Sequence, residues 1–114
     1  MQVICEQDPE SAKATLVRVS GRMDAVGATE LWDAASPQVT RDRPSVLVDM
    51  SGVDLLSSAG ITTLLNLMKT VKPLGGTLCV FGCTPPVRKI FRVVALDGLL
   101  NVFDGIEEAR QRVR

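Results

Sequence analysis

The residues best placed for chemistry are two adjacent serines, Ser57 and Ser58, just ahead of an amphipathic run that begins near Ile61. A serine at a helix N-terminus meets unpaired backbone N–H groups and the positive end of the helix dipole. Both features stabilise a phosphate without unfolding the helix, so the pair is suited to accept a phosphoryl group. The same hydroxyls suit plain capping, in which Ser57 or Ser58 accepts from a free N–H. Small Ala59 and Gly60 leave room for a partner's backbone to approach. Catalytic groupings are missing. The chain has no His, which removes His-based triads, the usual general base and the commonest metal ligand. It has no convergent carboxylate pair, no Gly-rich phosphate loop and no cysteine–base arrangement, and Gly75-Gly76 reads only as a turn. The expectation is a protein that is not an enzyme, with no cofactor, metal or small-molecule substrate. Its serine pair would be the substrate of a partner's active site.

Three cysteines are an odd number, which excludes a closed disulfide framework. Cys79 and Cys83 are four apart, outside the C-x-x-C spacing of redox and zinc sites. Cys79, Phe81 and Cys83 alternate, as side chains on one face of a strand would, and read as buried small hydrophobes. Free thiols with no leader pattern point to the cytoplasm. Thirteen Lys+Arg balance thirteen Asp+Glu, so a dedicated nucleic-acid binder is disfavoured. No apolar run approaches the roughly 18–20 residues of a membrane span. With 114 residues, 46% of them apolar, the chain suits one domain with one core.

The elements that must position the serines follow from turn signals and apolar spacing. Val3–Cys5 is a weak first strand, and Ala14–Ser20 is a strand of β-branched residues. Gly21–Asp24 turns the chain into a helix over Ala25–Ala35, with Val26, Leu31 and Trp32 as core contacts and Pro37 near its end. Asp24 is suited to cap it. Ser45–Met50 reads as a strand buried on both faces and Ser51–Leu56 as a loop, with Asp49 and Asp54 as turn residues. Ile61, Leu64, Leu65, Met68 and Val71 then form the clearest helical stripe, which Pro73 and Gly75-Gly76 stop.

Thr77–Phe81 is another strand, parallel to Ser45–Met50 through a right-handed crossover. Pro85 and Pro86 open a helix with the stripe Val87, Ile90, Phe91 and Val94 and the basic complement Arg88, Lys89 and Arg92. Leu99–Phe103 is a short strand. Asp104 would cap a last helix, Ile106–Val113, whose acidic start and Arg110, Arg112 and Arg114 suit the dipole at both ends. Alternating strands and helices argue an α/β layered domain, with sites beyond the carboxyl ends of the strands.

Val46–Gly60 resembles the signature of STAS domains of the bacterial anti-sigma factor antagonist type: an apolar strand ending in Asp, a Ser-Gly-type turn, an apolar pair, Asp-Ser-(Ser/Thr/Ala)-Gly, and an apolar helix. Leu16–Ala28, Gly75–Phe81, Pro85–Leu100 and Asp104–Ala109 are similar to the family's other segments, so the likeness covers nearly the whole chain. It implies a single STAS-like α/β layered domain over residues 1–114, with a mixed sheet of four to five strands and about four helices. Alignment on Gly60 carries the family's phosphorylated serine to Ser58, with Ser57 as the alternative acceptor. Ser57 stands where the family has Asp, and Ala59 where it has a second hydroxyl residue.

The resemblance implies an anti-sigma factor antagonist. Unphosphorylated, it would bind an anti-sigma factor serine/threonine kinase through Asp24, Ser57, Ser58, Ala59 and Gly60, and so release a sigma factor. Phosphorylation would switch it off and a phosphatase would reset it. The other implied role is a non-phosphorylated scaffold or subunit of a stress-signalling or lipid- or anion-transport complex, which Ser57 in place of Asp favours.

Overall fold

Pro9 and Glu10 form the turn of a hairpin in which β1 (Gln2–Asp8) pairs antiparallel with β2 (Ser11–Met23). In the computed structural model, which describes residues 1–114, every later strand runs parallel to β2. The chain continues through α1 (Ala25–Ala35), β3 (Ser45–Leu56), α2 (Ser58–Val71), β4 (Leu78–Phe81), α3 (Pro85–Val93), β5 (Val102–Phe103) and α4 (Ile106–Val113). The sheet order is β1-β2-β3-β4-β5. This is the mixed five-stranded α/β sheet with four helices that the sequence implied. Strand period 2 sends Val17, Val48 and Val80 to one core with Leu31, Leu64 and Phe91 of the three crossover helices. Leu16, Leu47 and Cys79 face Ala109 of α4 on the other side.

The largest departure from the sequence reading is Ser51–Leu56. These residues continue β3, pairing with β2 from Ser20↔Gly52 to Met23↔Leu56 after register shifts. The shifts disguise the strand, because a slipped register breaks the alternation that marks one. Gly52 allows the close pairing: a Cβ there would lie 2.8 Å from the Ser20 Cβ and 3.1 Å from the Val19 carbonyl oxygen. Asp49 and Asp54 are therefore strand residues; Asp49 Oδ1 accepts from the Ser51 N–H at 2.9 Å.

Smaller corrections share one cause, the phase of a stripe or the position of a cap. Ala28, Leu31 and Ala35 form the buried face of α1, while Val26 is out of phase and 67% exposed. Val94 follows the end of α3 and is largely exposed. Leu67 joins the α2 stripe as a fully buried residue. β1 is longer than Val3–Cys5, and β5 is only Val102–Phe103. The N-cap of α4 is Gly105, since Asp104 lies one residue earlier and pairs with Arg88. Cys83 lies beyond β4, past Gly82 at φ +73°, and packs on the opposite core from Cys79.

Arg110 does not serve the helix dipole alone. Its guanidinium meets the fully buried Asp8 carboxylate with Nε–Oδ2 at 3.1 Å and Nη2–Oδ1 at 2.8 Å, and Glu107 at 3.0 Å. Glu10 closes the cluster, which fastens α4 to the β1–β2 turn. Breaking a buried pair from one side leaves a charge without its partner. Arg110 keeps its two glutamates when Asp8 is lost, so Asp8→Ala should lower stability by about 3 kcal/mol, the low end for such a cut, read by urea denaturation.

Candidate functional site

β2 and β3 end side by side, so the helices that follow them start side by side. Asp24 caps α1: its Oδ1 accepts from the Gly27 N–H at 2.9 Å. Ser57 caps α2: its Oγ accepts from the Gly60 N–H at 3.3 Å. The two starts are tied through the carbonyl of Met23, which accepts from the Ser57 N–H at 3.0 Å and from the Ser57 hydroxyl at 2.7 Å. Of the two caps the sequence left open, the structure therefore uses Ser57.

The remaining residues fall around this clamp. Ser58 occupies the first helical position, exposed, with its hydroxyl bonded to nothing in the chain. Ala59 is half-buried. Gly60 is buried because the first turn of α2 lies on the strand ends: a Cβ there would stand 2.7 Å from Met23 Cγ and Sδ and 2.8 Å from a Leu56 methyl. Lower down, the Thr63 hydroxyl donates to the Ala28 carbonyl at 3.4 Å and links the two helices. The exposed surface of the site thus holds Asp24, Ser58 and, unanticipated by the sequence reading, the solvent-facing Val26. The only sequence sign for Val26 is its misfit with the Ala28–Leu31–Ala35 stripe.

The electrostatics are mild. The Gly27 N–H, and then Arg22 at 3.9 Å, hold the Asp24 carboxyl below its ordinary 3.8. The basic face of α3 is not brought to the serines by any bond. Arg88 pairs with Asp104 at 3.1 Å and Asp97 at 3.7 Å, and Lys89 and Arg92 are exposed. Burial pushes the Cys79 and Cys83 thiols up to about 11, which suppresses thiolate chemistry at neutral pH. No group of His, Cys, Asp and Glu side chains is arranged to hold a metal ion, and no helix is long and apolar enough to cross a membrane.

A family model described as "Mlab, STAS domain" matches residues 7–101, and the chain belongs to the STAS-domain family. Among curated relatives it is 27% identical over 85 residues to a protein of Bordetella bronchiseptica named as an anti-sigma factor antagonist, BtrV, covering 75% of this chain and 71% of the other. The crystal structure of an anti-sigma factor antagonist from Mycobacterium paratuberculosis superposes with a TM-score of 0.83 at 25% identity, covering 99% of this chain and 93% of that one. The fold also matches the Bacillus cell fate determinant SpoIIAA in its phosphorylated form, with a TM-score of 0.67 at 20% identity over 99% of this chain and all of the other.

The two serines should separate cleanly by substitution. Ser57→Ala removes a cap and should cost about 1–2 kcal/mol, whereas Ser58→Ala should stay within about 0.5 kcal/mol in chemical denaturation. Asp24 gives a pH signature. Its folded carboxyl titrates below its unfolded value, so its contribution is complete above the ordinary value of 3.8 and is lost as pH falls through the folded one. Asn also caps well, so the stability gap between the natural chain and Asp24→Asn should close on acidification across that window, followed by thermal melts.

Proposed function

We propose that this STAS domain is an anti-sigma factor antagonist. In this reading the unphosphorylated surface around Asp24, Ser57, Ser58, Ala59 and Gly60 binds an anti-sigma factor serine/threonine kinase in the cytoplasm and so frees a sigma factor. The observation that carries it is Ser58: an exposed hydroxyl, free of bonds within the chain, on a helix turn anchored by the Ser57–Met23 clamp. A kinase can engage such a group without unfolding anything. The bond forms between Ser58 Oγ and the γ-phosphorus of ATP, ADP leaves, and the hydroxyl proton passes to the kinase's base.

Phosphorylation adds about 1.5–2 negative charges to a surface where Asp24 is balanced by Arg22 and, more weakly, by the N-terminal ammonium of Met1. Free N–H groups of the first turn favour the phosphate on the isolated domain. In a complex the same charge must be desolvated against a surface shaped for a neutral serine, which weakens binding. A phosphatase restores the binding form.

A second reading is favoured by Ser57 itself. The family's Asp is absent and the hydroxyl in its place is committed to the clamp. A non-phosphorylated subunit of a larger complex needs no acidic neighbour beside Ser58. The two readings part in one experiment: incubation with an anti-sigma factor serine kinase from the same organism and ATP, followed by mass spectrometry and a binding assay. The antagonist reading expects one phosphate on Ser58, no phosphate on Ser58→Ala with binding retained, and binding weakened at least tenfold by Ser58→Glu. Unmodified serines under conditions where the kinase is active, with transport ATPase subunits co-purifying instead, would overturn it.

A further inference from the structure

The far end of α2 carries a second feature, unrelated to the serines. Val71 follows Ser58 by thirteen helical steps, so at 1.5 Å per residue it lies about 20 Å away. β5 is too short to cover β4 there: it pairs with Val80 and Phe81 only, leaving Leu78 and Cys79 without a strand on that side. Asn101 fills part of the gap. Its backbone is left-handed at φ +51°, a region Asn tolerates better than most residues, and its Nδ2 donates to the Leu78 carbonyl at 3.0 Å. What remains is a cavity of about 130 Å³.

The lining of this notch has two parts. Its apolar lining is the buried Met68, Val71 and Leu78 with Leu99, 46% exposed, and the polar Thr77 and Asn101 stand among them. Beside the apolar floor are two cations, Lys72 and Arg112. Neither takes part in any ion pair of the chain, whereas Arg18, Arg22, Arg88 and Arg110 do. A cavity of roughly 150 Å³ with apolar walls is enough for a benzene-sized group. At about 130 Å³ the notch has room for one aliphatic side chain, with two unpaired cations beside it.

We infer that this notch is a docking site for an acidic segment of a partner protein, which inserts one Leu- or Ile-sized side chain between Lys72 and Arg112. Charge complementarity chooses this occupant over a basic or neutral segment, and the small volume chooses a single anchor over a larger ligand. The inference is independent of phosphorylation. A segment bound here leaves the first turn of α2 open, so the domain can hold it and a partner at Ser58 together.

The test is titration of the ¹⁵N-labelled full chain with the blocked peptide Glu-Asp-Leu-Glu-Glu. Saturable shifts are expected at Val71, Thr77, Leu78, Leu99 and Asn101, with none at Ser57 or Ser58. Raising the salt should weaken binding at least tenfold, because the cations are exposed. Lys72→Glu and Arg112→Glu should each weaken it at least fivefold with circular dichroism unchanged; should either disturb the fold, Lys72→Gln and Arg112→Gln provide the same comparison. Absence of shifts at millimolar peptide, indifference to reversal of the cations, equal binding of the Leu→Ser peptide, or tighter binding of octanoate than of the peptide would each overturn the inference.

Discussion

The Met23 carbonyl accepts two hydrogen bonds from one residue, the N–H and the hydroxyl of Ser57, and the site depends on that pairing. A carbonyl at the end of a parallel strand normally faces the next turn or water. Here it holds the entry to α2 against the exit of β2. Two parallel strands that end level, Met23 beside Leu56, deliver two helix N-termini to one spot. Gly60 lets the first turn of α2 settle onto those strand ends, because no side chain intervenes. Ser58 is thereby fixed from beneath while remaining open above.

The balance of charge decides what a modification at that site would do. The chain carries equal numbers of acidic and basic residues, and its one buried ion cluster, around Arg110, is spent on fastening α4 to the opposite end of the β1–β2 hairpin. No strong field surrounds the serines. A dianion placed there would be the largest local charge, and an interface formed over a neutral hydroxyl would register it directly. The two unpaired cations of the notch, Lys72 and Arg112, lie at the other end of α2, too far to screen it at physiological salt.

The order of strands and helices was legible in the sequence because buried parallel strands are apolar runs and α2 has an unbroken stripe, as in Ser45–Met50 and Leu64–Val71. The candidate serines were legible for the same reason, since they precede that stripe. What the sequence hid was pairing between distant segments. Ser51–Leu56 reads as a loop because its register with β2 slips twice. Arg110 reads as a helix-end charge because its partner, Asp8, lies 102 residues earlier. The Met23 clamp leaves no trace at all, since a backbone carbonyl has no side-chain signature. Val26 was misplaced because its apolar type was weighed above its phase, which misfits the Ala28–Leu31–Ala35 stripe.

Ser57, which the resemblance aligns with an Asp of the family, also has a physical logic. Asp and Ser cap helices about equally well, and either accepts from the Gly60 N–H. Only a hydroxyl can also donate. An ionised carboxylate at position 57 would face the Met23 carbonyl oxygen, acceptor against acceptor, and would turn away from it. Relative to an Asp at that position, Ser57 therefore exchanges a charge beside Ser58 for a bond that ties α2 to β2. A site built this way is more rigid and less acidic than the family pattern. Any enzyme acting on Ser58 must supply for itself the orientation or metal contact that a neighbouring carboxylate would give, and a partner that only binds the surface meets a better fixed one.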